Sequence, residues 1–387
     1  MNNLLRKTLI KTALFLGVII AILGGLLYRK HVYIIPFPYE VAETPTKIYR
    51  DSLKQAQEAQ VLIVGDRMGV ALNSYIPMIK SELEKELKTA PAIYNWSRPH
   101  EGLHRTLNKI KSLKKVPPIV IYHGSSEEWY ETKFNPKDSK KILSNFQSYE
   151  NEKIISLIIT FPDLSRWFYK NVDIQYLNNL PLKPTQKNES NFKIREVEYK
   201  LFDHELKELI EYLKQKKSNL IILSDPINLF LPPKLTCPET ITTSLIEIQQ
   251  DIEDMMKNGN YKMAYTKSLE LSKESVANAR TFYLLGTAAS KNADLKTARE
   301  SLVKSNVYDC QNYRGNFIFN AIMQKNAQKS ELQFIDFASL TANAELSNGE
   351  VFLDEIYPQN KYYQLIMEDL LIALKKYLDI KGSINGK

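Results

Sequence analysis

The stretch Val61-Leu62-Ile63-Val64-Gly65-Asp66-Arg67-Met68-Gly69 decides the fold class. Its first four residues are apolar and three of them are β-branched, which is the composition of a short buried strand. Gly65-Asp66 then breaks the run in a tight turn. From Val70 to Leu87 the apolar residues Leu72, Ile76, Ile79 and Leu83 return at helical spacing with charges opposite, as in a helix that covers a sheet. The local unit is therefore strand, turn, helix, and a helical stretch leads into it as far as Gln60.

The unit recurs downstream. Ala92-Ile93-Tyr94 reads as a second strand, Gly102 to Leu113 as a helix, and Pro118-Ile119-Val120-Ile121-Tyr122 as a third strand that ends at His123-Gly124. A long helical region follows from about residue 138 to 217, broken near Pro162 and by the polar stretch Pro184 to Ser190. Leu220 to Leu223 supplies a fourth strand, which leaves through Leu229-Phe230-Leu231-Pro232-Pro233. Leu332 to Phe337 is the last strand and Tyr362 to Tyr377 the closing helix. Strands alternating with helices predict an α/β fold with a parallel, helix-covered sheet.

Between the fourth and last strands the pattern is purely helical and repeats. Gly259-Asn260-Tyr261-Lys262-Met263-Ala264 returns as Ala293-Asp294-Leu295-Lys296-Thr297-Ala298, so that Ala264 and Ala298 stand 34 residues apart, the tetratricopeptide period. Phe282, Leu285, Gly286, Ala298, Leu302 and Ser305 fall where that repeat wants an aromatic, Leu, Gly, Ala, an apolar and a small residue. Any helical hairpin with small residues at its crossing gives a similar pattern. One and a half repeats are too few to stand alone, so the insert is expected to pack on the rest of the fold.

Toward the N-terminus, Thr12 to Tyr28 runs without a charge, and Thr8 to Tyr28 is long enough to span a bilayer if Lys11 snorkels. A cleavable signal peptide would end in a small-x-small pair, and none stands at the end of the run before Arg29-Lys30-His31, so the segment reads as an uncleaved single-pass anchor. Val32 to Lys47, with three prolines, reads as an extended tether. The expected organisation is tail and anchor in 1–30, tether in 31–58, the α/β domain in 59–235 and 316–387, and a tetratricopeptide-like helical insert in 236–315.

The formal net charge of +8 comes from lysines scattered among glutamates, with no basic stripe interleaved with aromatics, which argues against nucleic acid. The two cysteines, Cys237 and Cys310, lack metal-ligand and CxxC spacing. In an exported domain they either pair, for roughly 4 kcal/mol, or stay as thiols. No metal and no cofactor is expected.

These landmarks, in this order, resemble the SGNH/GDSL hydrolase family over about Gln60 to Tyr377. The resemblance implies a flavodoxin-like three-layer α/β/α sandwich and an acyl-ester hydrolase site, and four blocks carry it. Gly65-Asp66-Arg67 matches the family's Gly-Asp-Ser, with Arg67 in the place of the nucleophile. Asn95-Trp96-Ser97-Arg98-Pro99-His100 puts His100 at the oxyanion-hole glycine. Gly124-Ser125-Ser126-Glu127 puts Ser126 where the second oxyanion donor, an asparagine, belongs. Asp354-Glu355-Ile356-Tyr357-Pro358 matches Asp-x-x-His-Pro, with Tyr357 in the place of the histidine.

Those replacements remove the family's chemistry. Arginine has no hydroxyl with which to attack a carbonyl, and tyrosine, with its pKa near 10, is a poor base at neutral pH. Only Asp354 of the triad remains. Of the five histidines none lies after residue 204, so the C-terminal block cannot supply the base. His100 and His123 sit at strand ends beside the expected pocket, where they are either polar filling or partners for Ser125 or Ser126 in a rearranged enzyme. Arg67 either holds a carboxylate or phosphate through its fork, or plugs the site by an internal ion pair to Asp354 or Glu127.

The expectation is a catalytically inactive, membrane-anchored relative of these hydrolases. It would act as a binding or assembly component, with a protein partner, in the periplasm of a bacterium and on its inner membrane. Its alternative is an active esterase or deacetylase on an acylated envelope glycan or lipid, with rearranged groups. A third reading, scaffolding at the membrane through Ile154 to Tyr169, competes with the simpler view of that stretch as a core helix. A small-molecule ligand is not defined by the sequence.

Overall fold

The computed structural model describes residues 11–24, 47–87, 89–128, 191–234, 242–275, 277–310, 314–347 and 349–378. Residues 11–24 form α1. After α2 (Lys47–Glu58) come β1 (Val61–Val64), α3 (Arg67–Ala71), a 3-10 turn (Leu72–Tyr75), α4 (Ile76–Leu87), β2 (Ile93–Asn95), α5 (Leu103–Ser112) and β3 (Ile119–His123). The order continues with α6 (Asn191–Gln215), β4 (Asn219–Leu223), α7 (Thr243–Lys257), α8 (Tyr261–Glu274), α9 (Ala279–Lys291) and α10 (Leu295–Tyr308). It ends with α11 (Phe317–Lys329), β5 (Gln333–Ile335), α12 (Phe337–Leu346) and α13 (Asn360–Tyr377).

The five strands are all parallel, in the order β2-β1-β3-β4-β5. The odd-numbered residues Val61, Ile63, Ile119, Ile121, Ile221, Leu223 and Ile335 pack with Met68, Leu72, Ile79 and Leu83 and with Ile366, Met367, Leu370 and Leu374 of α13. The intervening Leu62, Val64, Val120, Tyr122, Leu220 and Ile222 are buried too, so the strands are covered on both faces. That is why their sequences are continuous apolar runs rather than alternating ones.

Two expectations about the fold class are corrected. The flavodoxin-like three-layer sandwich gives the sheet more weight than it has: α-helix accounts for 65% of the described residues, and the sheet is small. Its strands are only three to five residues long. The last expected strand shows the cause, because Asp336 ends it by accepting the Ser339 N–H at 2.9 Å, and Phe337 opens a helix instead. The membrane-spanning helix is the second correction. Among the described residues no helix is long and apolar enough to cross a membrane. The described part of the expected span is residues 11–24, which at 1.5 Å per residue falls short of a ~30 Å hydrocarbon core; residues 8–10 and 25–28 lie outside the described residues.

The chain divides into two compact units, Met1–Ala42 with Thr132–Lys200, and Glu43–Glu131 with Leu201–Lys387. The second contains the sheet and the helices α7 to α10, which lie between β4 and β5 in chain order. Gly259 and Ala293, 34 positions apart, both turn the chain in the left-handed region, at φ 76° and 61°. Ala264 and Ala298 are fully buried, and a Cβ on Gly286 would lie 2.6 Å from the Leu302 side chain, so small residues set the crossing of α9 and α10. Cys310 is disulfide-bonded. Cys237, the other cysteine of the chain, lies outside the described residues, as do residues 31–46 of the expected tether, the stretch Ile154 to Tyr169 and the predicted helical region before residue 191; the rest of the expected tether, from Lys47 to Glu58, is the helix α2 and not extended chain.

Candidate functional site

The register between β1 and β3 brings Gly65 level with His123, closer than any side chain permits. A Cβ on Gly65, whose φ is 137°, would stand 2.0 Å from the His123 carbonyl oxygen. This contact delivers Asp66 beneath the loop that follows β3. One carboxylate oxygen, Oδ1, accepts the Met68 N–H at 2.8 Å and caps α3. The other, Oδ2, accepts the N–H groups of Ser125 (3.1 Å), Ser126 (2.9 Å) and Glu127 (3.1 Å) and the Ser126 hydroxyl (2.8 Å). Burial, and behind it the nearby Glu127 carboxylate, pushes Asp66 up to about 7, against the hydrogen bonds that favour its ionised form.

Next to it lies the second carboxylate of the edge. Glu127 Oε2 accepts the backbone N–H of Arg67 at 3.2 Å and that of His100 at 2.6 Å. Its Oε1 lies 2.8 Å from the Arg67 guanidinium Nη2 and 3.0 Å from His100 Nδ1. His100 holds φ 61°, a conformation in which glycine is at ease and a larger residue is not. The loop that presents it is fixed from below by the buried Lys109, which donates to Trp96 O at 2.5 Å and to both oxygens of Glu101 at 2.6 and 2.9 Å. Two backbone N–H groups aimed at one oxygen have the geometry that stabilises an oxyanion, and here a side chain of the protein itself occupies it.

A third knot ties β3 to β4. Ser125, at φ 146°, donates its hydroxyl to Asp225 Oδ2 at 2.8 Å. His123 Nδ1 is 3.5 Å from Asp225 Oδ1 and 3.4 Å from Leu223 O, and its Nε2 meets no hydrogen-bond partner among the described residues. All three are buried, His123 and Asp225 at 0% exposure and Ser125 at 2%. Burial lowers His123 to about 4 and raises Asp225 well above the ordinary carboxylate range, with Asp66 adding to the rise. Asp225 is held in turn by Asn320, which accepts its N–H and donates to its carbonyl, each at 2.9 Å.

Asp354 points into its own turn. Its Oδ1 accepts the N–H groups of Ile356 and Tyr357, both at 2.7 Å, and so fixes the backbone of Tyr357 rather than its hydroxyl. The Tyr357 hydroxyl is raised by burial and feels the charges of Arg67, Glu127, Asp354 and Asp66. Arg67, His100, Ser126, Asp66 and Glu127 are thus directly linked, and Tyr357 lies within electrostatic reach of them. Ser125 and His123 belong to the neighbouring knot on Asp225.

Neither serine hydroxyl is set on an imidazole: Ser126 is bonded to Asp66 and Ser125 to Asp225. Sequence reasoning missed Asp225 altogether. A titratable residue directly after the fourth strand, in Leu223-Ser224-Asp225-Pro226, was the available signal, since ligands and polar groups gather at the carboxyl ends of parallel strands. It also passed over Glu128, whose Oε1 accepts the Leu103 N–H at 2.7 Å where Gly102 offers no side chain to cap α5.

No protein-family model and no curated protein matches the chain. Among solved structures, a protein of Bacteroides fragilis NCTC 9343, provisionally described as an acylhydrolase, aligns with 87% of this chain and 99% of its own. The identity is 9% and the TM-score 0.35. At that level of likeness the functional reading rests on the site's own geometry.

Proposed function

We propose that this chain is a non-catalytic protein of SGNH-hydrolase-like design, working as a binding or assembly component of the bacterial envelope. The observation that carries the reading is Glu127, whose carboxylate takes the two backbone N–H groups of Arg67 and His100 together with the guanidinium and the imidazole. Acyl transfer needs a nucleophile, a base aligned on it, and donors free to receive the developing oxyanion. Arg67 offers no nucleophile, Tyr357 offers a phenol whose pKa is raised, and the donors are taken. Membrane attachment is part of the proposal. Its support is the apolar surface of α1, where Leu14, Phe15, Ile20, Ile22 and Leu23 are all more than half exposed.

The reading is tested with purified full-length protein and short acyl esters. No turnover above a blank is expected, in the wild type and in Arg67→Ala alike. An active enzyme with rearranged groups would instead hydrolyse the ester and lose that activity in His100→Ala or His123→Ala.

A further inference from the structure

We propose that Ser125, Asp225 and His123 form a proton-operated latch between the loops after β3 and β4, closed while Asp225 carries a proton and opened when that proton is lost. Its working is independent of whether the edge is catalytic.

Asp225 differs from the other buried carboxyl groups of the edge in how little supports a charge on it. Asp66 receives five hydrogen-bond donors, and Glu127 faces a guanidinium at 2.8 Å. Asp225 is 0% exposed, and among the described residues its Oδ2 receives only the Ser125 hydroxyl, at 2.8 Å, while its Oδ1 receives no hydrogen bond. His123 Nδ1 stands 3.5 Å from Oδ1, beyond the length of an ordinary N–H···O bond. A carboxylate so poorly solvated is costly, whereas a carboxylic acid fits the same surroundings. Oδ2 still accepts from Ser125, and a proton on Oδ1 makes that oxygen a donor facing the imidazole.

The imidazole does not take the proton instead. It is fully buried, and a charged ring would bury an Nε2–H that has no acceptor among the described residues. Burial accordingly holds His123 down, at about 4. The other charged or titratable groups within reach of Asp225 are Asp66 and Arg67 in the loop after β1, Glu128 in the loop after β3, and Tyr363 in α13. Asp66 and Glu128 oppose a further negative charge, and the one cation, Arg67, already faces Glu127.

Loss of the proton therefore places an anion where a single donor meets it, and separating the two loops is what lets water reach it. The loop after β3 carries Ser126, Glu127 and Glu128. The loop after β4 donates through Asn228 to Glu355 O at 3.3 Å, two residues before Tyr357. The latch thus joins the Glu127 cluster to the turn that carries Tyr357.

The test is amide hydrogen exchange of the full chain at Asp225 and Ile227, whose N–H groups are held by Asn320 at 2.9 Å and by Thr341 at 3.1 Å. From about pH 6 to about pH 9 their protection factors, which already discount the intrinsic rise of exchange with pH, should fall in the wild type by up to about tenfold per pH unit. Asp225→Asn keeps a carbonyl acceptor for Ser125 and cannot ionise. It should hold the protection constant over that range, with an unfolding constant at neutral pH within about thirtyfold of the wild type. Wild-type protection that does not change with pH would overturn the latch, as would the same fall in the asparagine variant. A larger loss of stability in that variant, or failure to fold, would overturn it too, because removing one partner of a buried Asp225–His123 ion pair costs about a hundredfold or more.

Discussion

The carboxyl edge of the sheet and the helical hairpins α7 to α10 belong to the same compact unit, yet they are held by different means. In the hairpins, small side chains set the spacing. Ala264, Ala288, Ala289 and Ala298 are fully buried, Gly286 lies under Leu302, and polar residues serve mainly as caps, such as Asn278 on Thr281 and Asp294 on Thr297. At the sheet edge the volume is filled by charge instead. Asp66, Glu127 and Asp225 are buried and are each taken by groups from distant parts of the chain. Losing a methyl contact costs one increment of packing, whereas losing a shared carboxylate strands several buried donors at once. The edge should therefore be the more fragile region towards single changes.

Asp66→Ala gives the largest contrast. It removes the acceptor of four backbone N–H groups and one hydroxyl, and should lower unfolding stability by roughly 3–5 kcal/mol in urea titrations. In the hairpins, Gly286→Ala pushes a methyl group against Leu302, whose backbone nitrogen is only 3.0 Å from the new atom. Its cost should be about 2 kcal/mol. A larger loss at Gly286 than at Asp66 would reverse the comparison.

The two regions should also differ in their response to pH. A carboxyl group whose pKa is raised by folding binds its proton more tightly in the native state, so its contribution is present at low pH and is lost as pH rises from about 4 to about 7 for Asp66. Asp225 acts in the same direction. His123, lowered to about 4, acts oppositely, because its buried neutral ring loses stability as pH falls from about 6.5 towards 4. Two carboxyls outweigh one imidazole. Stability should decline as pH rises from about 4.5 to 7, and Asp66→Asn should reduce that slope by up to about 1.4 kcal/mol per pH unit. Gly286→Ala should leave the slope unchanged.

The smallest effect sharpens the hairpin side. Gly259 and Ala293 occupy equivalent turns with positive φ, and a Cβ at Gly259 meets nothing within 4 Å. Gly259→Ala should cost about 1 kcal/mol through backbone strain alone, and Ala293→Gly should recover up to about the same amount. Thermal melts of both variants check this, and equal signs would break the equivalence of the turns.

The comparison also explains what was legible in the sequence. Runs such as Val61 to Val64 and Leu220 to Leu223 marked strands because burial on both faces demands continuous apolar residues. The 34-residue spacing of Ala264 and Ala298 marked the hairpins because helix packing repeats locally. The balance of helix over sheet was harder to read, since a polar residue such as Asp336 can end a strand by capping the next helix. At the edge, the blocks around Arg67, His100, Ser126 and Tyr357 named loops that the fold brings near one another, and Glu127 was one of two partners considered for Arg67. What those loops do depends on which donors converge on which carboxylate. Residues 66, 100, 127 and 225 meet only in three dimensions, and no local spacing encodes their contacts.

A double-mutant cycle between Arg67 and Glu127 tests most directly whether the edge is a structural knot. Arg67→Met and Glu127→Gln keep the volumes close to the originals, and the side chains they replace are 14% and 1% exposed. Urea stabilities of the wild type, the two single variants and the double variant should give a coupling energy of about 1–3 kcal/mol. Single-variant effects that simply add, within about 0.5 kcal/mol, would contradict the claim that Glu127 and Arg67 close this site on each other.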